Sequence, residues 1–224
     1  MDNNEKVLRF PVSEKVFHNV NAITWYILAI TGILVFFKLV PEDIAGFLMQ
    51  VHIWTAIIFT LNLISFILIS PDRFYILLRN LLKWDKDSLA WFKNLGGYPR
   101  KFGIPFGPEE TAPQGKYNTG QQLAYLLFIF MIFGLIVSGW ALYLMRQGLG
   151  KEVVSFLFYF HVWGSIITTI LVTVIHLPLS LINFDDFKAM WRLGSGYMPY
   201  QVAKHHSPKW VKEDLIEIGH IKNE

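Results

Sequence analysis

The residues with the most distinctive chemistry in this chain are four histidines inside long apolar stretches of sequence: His18, His52, His161 and His176. An ionisable side chain is costly at membrane depth, so a functional role is the first expectation for these residues. A neutral imidazole offers a ring nitrogen that binds metal ions. The remaining three histidines lie in a polar C-terminal tail, where a solvated role is expected: His205, His206 and His220.

The four histidines sort by expected depth in the membrane into two pairs. His18 lies at the start of the first apolar stretch and His176 near the end of the fourth, so both are expected near one face. His52 and His161 are expected near the opposite face. A haem iron takes two axial ligands on one line, and imidazoles from facing helices meet that requirement. The pattern therefore predicts two haem b groups, each bound by one pair, with all four histidines as metal ligands.

One predicted helix contributes a histidine to both pairs. His161 and His176 are 15 residues apart, a rise of about 22 Å in an α-helix. That rise suits two haems stacked across the apolar core. The same spacing leaves an angular offset of about 60° between the two side chains, which a kink or a turned haem plane would absorb. The alternative is a small transporter or channel whose histidines relay protons or ions.

Gly32 is a further candidate for cofactor binding. It follows His18 by 14 residues and so lies on nearly the same face of the helix, towards the outer end. The missing side chain would let the outer haem lie against the first helix. Close helix packing at a small residue is the alternative explanation.

The elements that must hold these side chains are four apolar stretches, each long enough for the roughly 20 helical residues that cross a membrane. They cover residues 16–39, 44–70, 122–145 and 153–182. Short connections after the first and the third predict two antiparallel hairpins. Hydrophobic residues make up 53% of the chain and charged residues only 17%, as membrane proteins require. The prediction is an all-α, integral membrane four-helix bundle that forms a single domain over residues 1–224.

Basic residues predict the orientation of the bundle. Of the 20 Lys and Arg residues, seventeen lie in the N-terminal segment, the central loop (71–121) and the tail (183–224). The positive-inside rule therefore puts both termini and the central loop in the cytoplasm. Basic and apolar residues mix over 71–95, which predicts interfacial helices. The Gly/Pro-rich residues 96–113 are expected to be irregular, as a docking surface or a solvated loop.

Composition also restricts the possible cofactors and partners. The chain has no cysteine, which excludes disulfides, iron–sulfur clusters, covalently attached c-type haem and thiolate zinc sites within it. Its net charge of +3 is explained by basic cytoplasmic loops. A nucleic acid partner is therefore not expected, whereas membrane lipid is.

Two strings of residues carry a resemblance to a known family. One is Gly-Lys-Tyr-Asn-Thr-Gly-Gln over 115–121, and the other is Ala-Lys-His-His-Ser-Pro-Lys-Trp over 203–210. With the surroundings of His18 and the layout of the spans, they resemble the cytochrome b (gamma) subunit of respiratory formate dehydrogenases. The b-type cytochromes of nickel–iron hydrogenases are similar at lower specificity. The spacing from His161 to His176 is one residue longer than is expected for the formate dehydrogenase family.

The resemblance implies an electron-carrying subunit of a quinone-reducing oxidoreductase in a prokaryotic inner membrane. The implied partners are an iron–sulfur subunit and a molybdenum or tungsten catalytic subunit that oxidises formate, or a nickel–iron catalytic subunit in the hydrogenase alternative. Electrons would pass from the iron–sulfur subunit to an outer haem on His52 and His161. An inner haem on His18 and His176 would then reduce menaquinone near the cytoplasmic face.

The resemblance also implies a binding site for the quinone. Menaquinone would lie beside His176, with Asn118, Gly120 and Gln121 lining the site. The same residues have a structural explanation, since Asn118 is a good N-cap and Gln121 falls at the N3 position of a capping box. Both roles are compatible, because a polar helix start at the interface offers hydrogen-bond donors to a quinone carbonyl.

Overall fold

Four long helices form the body of the protein in a computed structural model that describes residues 5–191 and 195–215. They are α1 (Val12–Phe36), α2 (Glu42–Ile69), α6 (Thr119–Leu144) and a fourth span over Lys151–Ile182, and each is long and apolar enough to cross a membrane. The predicted all-α membrane bundle is therefore confirmed.

The predicted spans began two to four residues too late at their N-termini. Pro11 precedes α1 and Pro41 precedes α2, and each fixes the backbone where its helix starts. Acidic residues follow in the first turns, Glu14 in α1 and Glu42 in α2, where the helix dipole favours negative charge. Hydropathy detects the apolar part of a helix and omits such polar first turns.

The bundle consists of two hairpins. Helix α1 packs mainly against α2, and α6 packs mainly against α7 (Lys151–Leu171), the first part of the fourth span. Trp25 in α1 donates a hydrogen bond from Nε1 to Thr169 Oγ1 in α7 at 3.1 Å. Trp140 in α6 donates to Thr60 Oγ1 in α2 at 3.0 Å. These two bonds join the hairpins, one between each pair of facing helices.

The fourth span changes its winding beside His176. It continues from α7 through a π-helical turn (Val172–His176) into α8 (Leu177–Ile182), and the Leu177 N–H bonds to the Val172 carbonyl. Pro178 follows directly; it has no N–H, and its ring clashes with a carbonyl one turn earlier in a regular α-helix. The wider turn accommodates the proline and one extra residue.

The smaller elements gather at one end of the bundle, which we call the loop end; the end with the short connections is the turn end. Strand β1 (Lys6–Leu8) pairs antiparallel with β2 (Tyr197–Pro199). A small core of apolar side chains forms there from Val7, Met198, Ala203, Trp210 and Val211. The remaining helices of the described residues are α3 (Pro71–Leu82), α4 (Lys86–Ala90), two 3₁₀ turns (Trp91–Lys93 and Leu95–Gly97), α5 (Tyr98–Lys101), α9 (Phe184–Trp191), α10 (Tyr200–His206) and a π-helical segment over Trp210–Leu215.

Ion pairs connect the segments at the loop end. The buried Arg9 bonds to Asp186 in α9 at 3.0 Å, and the buried Lys116 bonds to Glu14 in α1 at 3.1 Å. Lys209 pairs with Asp85 at 2.6 Å, and this hydrogen bond lowers the pKa of Asp85 to about 2. The N-terminal segment, the central loop and the tail, which the charge count put on one side of the membrane, thus contact one another.

The central loop is divided into more helical segments than predicted, and it is also more ordered. The helical structure predicted over 71–95 is divided into separate helices. Helix α3 ends at Leu82, because Lys83 is extended. Helix α4 starts at Lys86, and Asp85 before it forms a capping box with Ser88. Residues 96–113 are irregular apart from α5 and the end of the 3₁₀ turn over Leu95–Gly97. The Asn94 side chain donates to the backbone of Pro108 and Glu110, at 3.2 and 3.1 Å, and so closes the loop on itself.

Candidate functional site

The outer pair of histidines meets across the two hairpins. The ring of His52 in α2 faces the ring of His161 in α7, with centroids 6.3 Å apart and planes inclined at 66°. Both residues lie ten residues into their helices from the turn end. The structure therefore brings together the two side chains that sequence depth had paired.

A hydroxyl group holds each ring of the outer pair. Thr31 Oγ1 lies 3.0 Å from His52 Nδ1, and Ser138 Oγ lies 3.0 Å from His161 Nδ1. The Thr31 hydroxyl also lies 2.7 Å from the Ile27 carbonyl oxygen; when its one hydrogen is donated there, its oxygen accepts from His52 Nδ1–H. The tautomer that carries its hydrogen on Nδ1 leaves Nε2 with a lone pair. That is the form in which an imidazole binds a metal ion.

The inner pair meets at the loop end. The rings of His18 in α1 and His176 in the π-helical turn have centroids 6.5 Å apart and planes inclined at 48°. Trp191 meets His18 edge to face at 5.8 Å, and Phe128 meets His176 in the same way at 5.6 Å. His18 Nδ1 is buried and has no hydrogen-bond partner among the described residues. The inner rings thus have aromatic neighbours where the outer rings have hydroxyls.

The separations of the rings fit a shared metal ion. Two imidazoles that bind one iron from opposite sides, at about 2 Å each, have ring centroids roughly 6 to 6.5 Å apart. Both pairs match that separation. Within the described residues, no group of three or more His, Cys, Asp or Glu side chains is placed to hold a metal ion. Two-ligand coordination, as in a bis-histidine haem, is what the geometry accommodates.

The π-helical turn brings His176 closer to the face that carries His161. One extra residue taken up by the wider turn makes the 15-residue interval behave as 14 steps, so the offset of about 60° changes to about 40° in the opposite sense. The sequence left open a kink or a turned haem plane, and the structure has a π-helical turn between the two histidines. It also accounts for the one residue by which this spacing exceeds the expected one.

Gly32 lies at the outer pair, but its neighbour is the histidine itself. A Cβ at Gly32 would meet His52 Cε1 at 3.4 Å. That is an ordinary contact distance, so the backbone at Gly32 packs beside the imidazole ring of the facing helix. Gly139 lies closer to the other ring, since a Cβ there would clash with His161 Cε1 at 2.9 Å.

The residues predicted to bind quinone form the start of α6. The Asn118 side chain accepts from the Gln121 N–H at 2.9 Å, and the Gln121 side chain accepts from the Asn118 N–H at 3.0 Å. The predicted capping box is thus confirmed. It uses the oxygen of each amide, and neither NH2 group makes a hydrogen bond within the described part of the chain.

Gly120 has a neighbour that the sequence did not indicate. A Cβ at Gly120 would lie 2.8 Å from the Trp91 ring, and Gly96 also lies against this ring, near its Nε1 atom. Trp91 is buried. The glycine therefore lets the central loop cover the start of α6.

Charged and phenolic groups surround this helix start. Burial lowers the pKa of Lys116, while the neighbouring Glu14 carboxylate acts in the opposite direction. Burial also raises the pKa of Tyr117 well above its usual value, and Glu14 adds to that shift. Asn118 thus follows directly after two buried groups whose proton affinities the fold has changed.

Comparison with known proteins agrees with this architecture. A family model described as prokaryotic cytochrome b561 matches residues 9–192. The chain is 24% identical over 218 residues to the formate dehydrogenase cytochrome b556(fdo) subunit of Escherichia coli strain K12, with 95% of each chain covered. It is 29% identical over 143 residues to the nitrate-inducible formate dehydrogenase cytochrome b556(Fdn) subunit of the same strain, with 62% of this chain and 60% of the relative covered.

Four membrane-spanning helices that bring four imidazoles together in two pairs define the class, a multi-span helical membrane protein. The family model that matches residues 9–192 identifies the family: the chain belongs to the prokaryotic cytochrome b561 family. It is accordingly a multi-pass protein of the prokaryotic inner membrane, in a family that binds haem b.

Sequence reasoning missed the side chains that support the histidines. Thr31, Ser138 and Gly139 are common residue types in membrane helices, and none of them is unusual by composition. A usable signal was the repeated order of hydroxyl residue and glycine, Thr31–Gly32 in the first span and Ser138–Gly139 in the third. The prediction of a solvated role for His220 concerns the end of the tail, which lies outside the described residues.

Proposed function

We propose that this protein is the membrane cytochrome b subunit of a formate dehydrogenase-type respiratory complex, passing electrons from an iron–sulfur partner through two b haems to menaquinone. His52 and His161 hold the outer haem, and His18 and His176 hold the inner one. The observation that carries the proposal is the separation of the rings, 6.3 Å in one pair and 6.5 Å in the other, at two depths of one bundle.

The orientation is part of the proposal. The loop end faces the cytoplasm, because the Lys and Arg residues are concentrated in the segments that meet there. The turn end then faces the outside, where an iron–sulfur subunit and a molybdenum or tungsten catalytic subunit dock. The relatives named as formate dehydrogenase cytochrome subunits support these partners.

The start of α6 binds the quinone at the loop end. Asn118 and Gln121 each keep a side-chain NH2 group beside the capping box, and an amide N–H is a suitable donor to a quinone carbonyl. The position of these residues at the cytoplasmic interface allows protons to be taken up from the cytoplasm as the quinone is reduced.

The test is haem content and visible spectrum of the protein purified with its partners. We expect two low-spin haems per chain in the wild type. His52→Ala should lose the outer haem and keep most of the inner one, and His18→Ala should do the reverse. His205→Ala, in the polar tail, is the matched control and should keep both.

Mass spectrometry of the gently solubilised complex completes the test, because it reports the partner subunits together with the cofactors. A nickel–iron catalytic subunit in place of a molybdenum or tungsten one would reassign the complex and leave the cytochrome intact. A folded but colourless preparation would overturn the proposal altogether.

A further inference from the structure

We propose that Thr31 with Gly32, and Ser138 with Gly139, are two equivalent supports that position the outer histidines, fix Nε2 as the metal-binding nitrogen and lower the reduction potential of the outer site. The inference rests on the proposed function, since it assumes that His52 and His161 bind haem. We call the two dipeptides the hydroxyl–glycine supports.

The first support lies in α1 and acts on a histidine in α2. Thr31 is only 5% exposed. Its hydroxyl is bonded on one side to the Ile27 carbonyl at 2.7 Å and on the other to His52 Nδ1 at 3.0 Å. With the hydroxyl hydrogen on a carbonyl of its own helix, the oxygen accepts from the imidazole Nδ1–H. In that arrangement the ring has one tautomer and a fixed rotation about its Cβ–Cγ bond.

The second support repeats this arrangement in the other hairpin. Ser138 in α6 is 1% exposed. Its hydroxyl lies 3.3 Å from the Leu135 carbonyl and 3.0 Å from His161 Nδ1, in the facing α7. In both hairpins the supporting helix is therefore the one that precedes the histidine in sequence.

The glycines place the helix backbone beside the rings. A Cβ at Gly139 would clash with His161 Cε1 at 2.9 Å, whereas one at Gly32 would meet His52 Cε1 at the ordinary contact distance of 3.4 Å. The ring is thus held by a hydrogen bond on one edge and by backbone packing beside it. Two independent residues with the same order, on two helices, favour a shared role over chance contact.

The electronic effect follows from the direction of the hydrogen bond. An Nδ1–H that donates to an acceptor makes the other ring nitrogen a stronger electron donor, and such partners tune a metal through its ligands. A stronger donor stabilises oxidised iron and so lowers the potential. His18 has no such acceptor among the described residues, and Trp191 packs against its ring instead. The supports therefore favour electron flow from the outer site to the inner site.

Redox titration of the purified complex, followed by its visible spectrum, tests the proposal. Thr31→Val keeps the shape of the side chain and removes the acceptor, so the outer haem should shift to a higher potential while the inner haem does not. Ser138→Ala should cause a shift in the same direction. Thr31→Ser and Ser138→Thr restore a hydroxyl and should return the potential towards the wild-type value.

The electron paramagnetic resonance signal of oxidised low-spin haem gives a second readout, because its shape depends on the angle between the two imidazole planes. Thr31→Val should alter the outer signal alone. Thr24→Val is the matched control: Thr24 is equally buried in α1, and its hydroxyl bonds only to backbone carbonyls. That variant should change neither the potential nor the signal.

The outcomes separate this inference from the proposed function. If the wild type binds two haems but Thr31→Val and Ser138→Ala leave the outer potential and signal unchanged, the supports have no such role and the inference fails. A wild type without haem contradicts the proposed function itself. Loss of the outer haem in Thr31→Val, together with its retention in Thr31→Ser, supports the inference, and Ser138→Ala provides an independent test if Thr31→Val does not fold.

Discussion

The two amides at the start of α6 combine an observed structural role, the capping box, with the proposed role in quinone binding. Asn118 Oδ1 caps the helix through the Gln121 N–H, and capping side chains of this kind stabilise a helix by about 1 kcal/mol. Its NH2 group is not part of that bond. A substitution that removes the whole side chain therefore cannot separate the two roles, whereas one that keeps only the oxygen can.

We predict that Asn118→Asp and Asn118→Ala both slow quinone reduction, by about tenfold if one hydrogen bond to the quinone is lost. Aspartate is a good N-cap, so it keeps the helix start and removes only the NH2 donor. Stopped-flow measurement of quinone reduction, with haem reduction by the donor as the internal reference, checks this. Wild-type quinone kinetics in the aspartate variant would assign Asn118 to capping alone.

At the scale of single residues, the histidines could be predicted and their supports could not. An imidazole in an apolar helix is rare and costly, so each one is conspicuous in the sequence. Burying Thr31 and Ser138 in a helix costs little free energy, because their hydroxyls bond to carbonyls of the preceding turn. Thr24 and Thr168 bond to the backbone in the same way, and only the glycine that follows Thr31 and Ser138 distinguishes those two in the sequence.

Among the elements, the fourth span carries the main departure from regular geometry. Its π-helical turn lies directly before Pro178 and contains His176. Helical periodicity predicts an angular offset of about 60° between the side chains of His161 and His176. It does not show at which residues the helix changes its winding. The proline was the local signal, because a widened turn removes the clash between its ring and the preceding carbonyls.

A deletion inside that turn should be tolerated. Deleting Val174, which is 65% exposed, converts the turn into regular α-helix and keeps His176 opposite His18, so we predict that both haems are retained. Deleting Ile167 together with Val174 removes a second residue, from regular helix, that the turn cannot supply, and turns His176 by about 100° relative to His161. That control should lose one haem. Equal haem content in the two deletion variants, measured per chain, would contradict this account of the turn.

For the molecule as a whole, the loop end joins segments that are far apart in sequence. The charge count correctly grouped the N-terminal segment, the central loop and the tail. It could not predict which charges pair, because pairing depends on packing between distant segments. Lys116 and Glu14 are 102 residues apart and both nearly buried. Such a pair is costly to break, since removing one partner leaves the other charged and unsolvated.

We predict that Lys116→Met destabilises the protein by about 3 to 5 kcal/mol, because it leaves Glu14 buried without a partner. Thermal unfolding in detergent measures the effect. Lys83→Met is the matched control, since the Lys83–Glu213 pair is well exposed and such pairs contribute about 1 kcal/mol or less. Adding Glu14→Gln to Lys116→Met should recover part of the loss; equal effects of Lys116→Met and Lys83→Met would show that the buried pair has no special weight.

The fourth span has one further consequence. It supplies a ligand to each proposed haem, and a continuous helix cannot lengthen or shorten between positions 161 and 176 without breaking its backbone hydrogen bonds. The tunnelling distance between the redox centres is therefore set within a single covalent segment. In the proposed complex, docking of a catalytic subunit outside or exchange of the quinone inside can change the reduction potentials at either end. The distance for electron transfer between the two haems stays the same.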